Sequence, residues 1–78
     1  MSVDLKKHLQ AIAANIEAAG RDVLGARQSL RNMADALDQL PVGEIREQND
    51  KLKAVTAVLQ DAYNQASEVA VQLRKLSG

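Results

Sequence analysis

The stretch LKKHLQAIAANIEAAGRDVLGARQSLRNMADALDQL, residues 5–40, decides the architecture. Its apolar residues stand at Leu5, Leu9, Ile12, Ile16, Ala19, Val23, Ala26, Leu30, Met33, Leu37 and Leu40, in alternating steps of four and three. Steps averaging ~3.5 residues hold one narrow stripe on one side of an α-helix and mark a coiled-coil seam. Ser2 is placed to cap this helix, with Asp4 in its first turn where a negative charge meets the positive helix end. Gly20 and Gly25 lie off the seam and are read as tolerated interruptions of propensity.

The seam predicts helix 1 over about residues 3–40. Pro41 biases Leu40 away from the α region, and Gly43 offers backbone freedom, so Pro41, Val42 and Gly43 read as a tight loop. A second seam follows at Ile45, Leu52, Val55, Leu59, Ala62, Ala66, Val69, Leu73 and Leu76, interrupted only by Gln48, and predicts helix 2 over about residues 44–76. Continuing the first repeat through the loop would put Glu44 and Glu47 on the seam, so the phase shift favours an antiparallel hairpin over one long helix. Residues 1–78 therefore read as a single all-α domain, a two-helix coiled-coil hairpin. With the loop centred between Val42 and Gly43, facing residues are expected to add up to 85, as in Leu30 with Val55 or Ile16 with Val69. The same register sets Gly20 opposite Tyr63.

Composition excludes several classes of function. Ten basic and ten acidic residues leave no net charge, and both halves are balanced, so there is no electrostatic footprint for nucleic acid. The longest uncharged stretches are too short and too polar to insert in a membrane, and no signal-peptide pattern opens the sequence. A cytoplasmic location is expected, with any secretion taking a route that needs no such signal. Cysteine is absent, which removes thiol chemistry and disulfides. His8 is the lone histidine and reads as a solvated surface residue, because a metal site needs several convergent donors. The acids Asp35, Asp38, Glu44, Glu47 and Asp50 read as a polar hairpin tip. No triad, phosphate-binding loop or cofactor motif is present, and an enzyme is not expected.

A domain of 78 residues rarely draws more than ~3–5 kcal/mol from one core, so self-association into a four-helix bundle is expected. The flanks beside the seam are short on charge: Ala13, Gly20, Ala34, Thr56 and Ala70 on one side, Asn15, Ser29, Ala36, Val58, Gln65 and Gln72 on the other. We therefore expect a partner-binding surface that includes Val58, Tyr63, Ala13, Gly20 and Ala70. Tyr63, the only aromatic residue, serves equally as a ring packed over Gly20 or as an anchor for a partner.

A small, cysteine-free helical hairpin with a glycine in its connecting loop resembles the Trp-x-Gly superfamily of bacterial type VII secretion substrates and the small helical targeting proteins of that system. Pro41-Val42-Gly43 stands where that family has Trp-x-Gly, matching at Gly43. Tyr63, followed by Ser67 and Glu68, stands near the family's pattern of Tyr and an acid four residues on. The resemblance implies a dimerising, non-enzymatic interaction module that binds or targets a larger helical partner. The alternative is a structural or regulatory coiled-coil subunit of a cytoplasmic assembly, such as a phage or defence complex.

Overall fold

The computed structural model describes residues 2–78. The described residues form two helices, α1 over Val3–Asp38 and α2 over Gly43–Ser77, joined by a short connection. They pack on one another as an all-α antiparallel hairpin 61 Å long. A single continuous helix of this length would extend to roughly twice that at ~1.5 Å per residue.

Local chemistry accounts for the ends. The Ser2 Oγ accepts a hydrogen bond from the Leu5 N–H at 3.2 Å and satisfies one of the donors that the first turn of α1 leaves free. At the other end α1 stops at Asp38, two residues before the expected boundary. There the N–H groups of Gln39 and Leu40 donate to the carbonyls of Ala36 and Leu37, tightening the last turn, and Pro41 prevents its continuation. Residues 39–42 form the connection, and the Val42 carbonyl accepts from the Ile45 N–H at 3.1 Å. Gly43 belongs to α2 as its first residue. It does not take a positive φ and a Cβ there would meet nothing, so the expected use of glycine's conformational freedom is not made.

The helices meet along a stripe rotated from the expected seam. In α1 the residues turned towards α2 are Leu9, Ala13, Ile16, Gly20, Val23, Arg27, Leu30, Ala34 and Leu37. In α2 they are Ile45, Asn49, Leu52, Thr56, Leu59, Tyr63, Ala66, Ala70, Leu73 and Ser77. Half of each expected seam survives, namely the columns from Leu9 to Leu37 and from Ile45 to Leu73. The other half is replaced by its next neighbour: Ala13 for Ile12, Gly20 for Ala19, Ala34 for Met33, Thr56 for Val55, Ala70 for Val69. Across this stripe Gly20 meets Tyr63 and Asp38 meets Asn49.

The physical reason lies in side-chain size. At this rotation the small residues Ala13, Gly20, Ala34 and Ala70 enter the inner stripe and let the backbones approach beside them, while Arg27, Asn49 and Tyr63 occupy other positions of the same columns. Packing the expected columns together would set Met33 on Leu52 and Leu30 on Val55, large on large, and hold the helices apart. Gly20 and Tyr63 do come together: a Cβ at Gly20 would lie 3.4 Å from Cδ2 of the ring.

The polar layer also moves, from the expected Gln48 to Asn49. Asn49 is buried near the loop, where its Nδ2 donates to Asp38 at the end of α1, and Lys53 reaches the other oxygen of the same carboxylate at 3.1 Å. One buried amide at a single layer is a register device, since any slip would strand it.

Candidate docking face

The two long edges of the hairpin differ in chemistry. One is tied by interhelical ion pairs. The Arg74 Nε donates to the Glu17 Oε1 at 2.6 Å, and the Lys53 ammonium meets Asp38. Each of these four residues follows immediately after a core residue, namely Leu73, Ile16, Leu52 and Leu37, so all four project to the same side of the helix pair. The Arg74 guanidinium, through this hydrogen bond, holds the Glu17 carboxyl below its usual range. Desolvation opposes that shift, and the charges of Arg74 and Arg21 add to it.

The opposite edge is defined by the displaced half of the seam. Leu5, Ile12, Ala19, Ala26, Met33 and Leu40 run down α1 and its end, one position before the small core column. Gln48, Val55, Ala62, Val69 and Leu76 run down α2 in the same relation. Because the ion-paired residues of both helices share one edge, these two columns share the other. All are exposed, and the large ones among them keep between 38% and 63% of their surface in water. Their outer rim is Asn15, Asp22, Ser29 and Ala36 on α1, with Lys51, Val58, Gln65 and Gln72 on α2. Asp22 and Lys51 are the only charged side chains along that stretch of rim.

Two magnitudes show how little apolar surface the hairpin buries. Among the described residues no large side chain is fully buried, and the fully apolar core reduces to Ala13, Ala34 and Ala70. A folded monomer of 8.4 kDa is expected to expose about 4,600 Å². The hairpin exposes 5640 Å². The excess of roughly 1,000 Å² is comparable with the ~800 Å² that each partner contributes to a standard interface.

Expectations for the partner-binding residues divide on this geometry. Ala13, Gly20 and Ala70 are buried between α1 and α2 and do not lie on the surface of the hairpin. Their small size serves the close approach of the two helices. Tyr63 is half-buried over Gly20 and belongs to the inner stripe. Val58 remains outside, 67% exposed, on the rim of the apolar face. The exposed columns also hold Ile12, Met33, Val55 and Val69, which the sequence pattern alone places on the inner seam. The signal that would have found them is the column Ala13, Gly20, Ala34 on α1 with Ala70 on α2. Small residues at sevenfold spacing beside an apolar seam widen the stripe to three columns, the pattern of a bundle helix that contacts two neighbours.

Other chemistry is sparse. Among the described residues no three His, Asp or Glu side chains converge as metal ligands, and no described helix is long and apolar enough to cross a membrane. A hollow under the loop, lined by Leu37, Asp38, Pro41, Val42, Arg46 and Asn49, is open to solvent. Comparison with protein-family models, with curated proteins and with solved structures finds no match to this chain.

Proposed function

We propose that the chain is a non-enzymatic protein–protein interaction module, a helical hairpin that assembles with other helices through its apolar face. The observation that carries this reading is the pair of exposed columns from Leu5 to Leu40 and from Val55 to Leu76, opposite an edge already satisfied by ion pairs. Covering that face removes apolar surface from water at ~25 cal/mol per Å² and desolvates almost no charge. A larger protein presenting an amphipathic helix or a second hairpin has the complementary chemistry. The resemblance to Trp-x-Gly hairpins extends the reading to type VII secretion, with this hairpin targeting a larger helical substrate. In the native host, affinity-tagged chain should retain a helical protein that the Ile12→Glu and Val69→Glu variants both lose. Retention of the same protein by both variants would refute the docking face.

A further inference from the structure

Building on that docking face, we propose that its occupant is a second copy of this chain, related by a two-fold axis parallel to the helices, so that both loops lie at one end of a four-helix bundle. The area is of the right size. The broad side of the hairpin, 61 Å by 14 Å, offers roughly 850 Å² per copy, close to the ~800 Å² of a standard interface.

The face is also matched to itself. Its centre is small, with Ala19, Ala26 and Ala62, and its ends are large, with Leu5, Ile12, Met33, Leu40, Val69 and Leu76. A two-fold axis along the helices lays α1 of one copy on α2 of the other in the same antiparallel sense as within the hairpin. Ile12 then layers near Leu76, Ala19 near Val69, Ala26 near Ala62 and Met33 near Val55, with the two small residues Ala26 and Ala62 meeting at the waist. The rim follows with Asn15 beside Gln72, Asp22 beside Gln65, Ser29 beside Val58 and Ala36 beside Lys51, and no like charges meet.

The other two-fold arrangement that buries this face has its axis across the helices and its loops at opposite ends. It lays α1 on α1, and because Asp22 lies near the middle of Val3–Asp38, full overlap brings that carboxylate against its own copy. Two like charges at a partly desolvated rim disfavour it. Asp22 thus selects the orientation.

The test uses the full chain, whose lack of cysteine lets one spin label be placed by Gly43→Cys, where an added side chain meets nothing. Sedimentation equilibrium should give twice the 8.4 kDa chain mass. The two labels should lie well under half of the hairpin's 61 Å length apart. Met33→Glu should return a monomer with unchanged helicity, and Ala26→Glu should do the same should Met33→Glu fail to fold. Asp22→Asn should alter the dissociation constant by on the order of twofold or less. Labels separated by about the full length, or a dimer tightened many-fold by Asp22→Asn, would overturn the orientation. A monomer at high concentration would overturn the second copy. If such a monomer still loses a captured helical partner on Met33→Glu, the docking reading survives. If Met33→Glu changes no association at all, both fail.

Discussion

The two edges of this hairpin carry different kinds of interaction. On the polar edge, Glu17 with Arg74 and Asp38 with Lys53 connect helices within one chain. These side chains are about half exposed, and solvent screens ion pairs in such settings, so they add little to stability. The apolar edge makes no such contacts, yet it holds most of the large hydrophobic surface left in water. The contrast teaches that the contacts most visible within the hairpin lie apart from most of its exposed apolar area. The polar edge sets alignment, and the apolar edge offers area.

The comparison is sharpened most by setting the inner stripe against the exposed column. Leu30→Ala removes a large residue packed between α1 and α2 and should cost ~2–3 kcal/mol, the low end of core truncations because Leu30 is only half-buried in the hairpin. Met33→Ala, three residues on and 56% exposed, should be nearly neutral in dilute solution. Its cost should grow as protein concentration rises, since a covered face is stabilised by mass action. Urea denaturation of both variants at two protein concentrations measures this, and a concentration-independent Met33→Ala would break the distinction between the edges.

Next in size is the polar layer. Asn49→Ala removes the amide that reaches Asp38 and should cost ~1 kcal/mol in urea denaturation. Asn49→Leu should instead be neutral or stabilising, with some loss of a unique register, because the buried Oδ1 of Asn49 has no partner among the described residues. Proton–nitrogen correlation spectra separate the two variants by the number of resonances per residue.

The glycines come next. A Cβ at Gly25 meets nothing within 4 Å, so Gly25→Ala should raise stability by up to ~1 kcal/mol through helix propensity alone. At Gly20 the new methyl group touches the Tyr63 ring, and thermal melts should show a smaller gain there, since the ring must settle against it.

The smallest effect belongs to the polar edge itself. The Glu17 carboxyl is held below its ordinary value of 4.5, so the folded state binds fewer protons than the unfolded one. Its contribution to stability is therefore fully present above that value and is lost as the pH falls through the lowered folded pKa. Denaturation from pH 7 downward should show wild type and Glu17→Gln converging on the acid side of pH 4.5. High salt should shrink the difference at neutral pH, as screening of exposed charges requires.

Much of this was legible in the residues. Ser2 and Asp4 mark the start of α1, Pro41 its end, and the phase shift at Ile45 separates two helices from one. Those are consequences of chain-local chemistry: capping, the geometry of proline, and a period of 3.5 that no distant contact can alter. The pairing of Gly20 with Tyr63 was legible too, because antiparallel register follows from the loop position. Which side of each stripe faces inward was not. Ile12, Met33, Val55 and Val69 are as apolar as Leu9, Leu30, Leu59 and Leu73, and hydrophobicity alone cannot rank them. Only tertiary packing decides, because close approach depends on the size of the facing side chain across the gap. The small residues Ala13, Gly20, Ala34 and Ala70 let the backbones draw together on their side and turn the larger column outward.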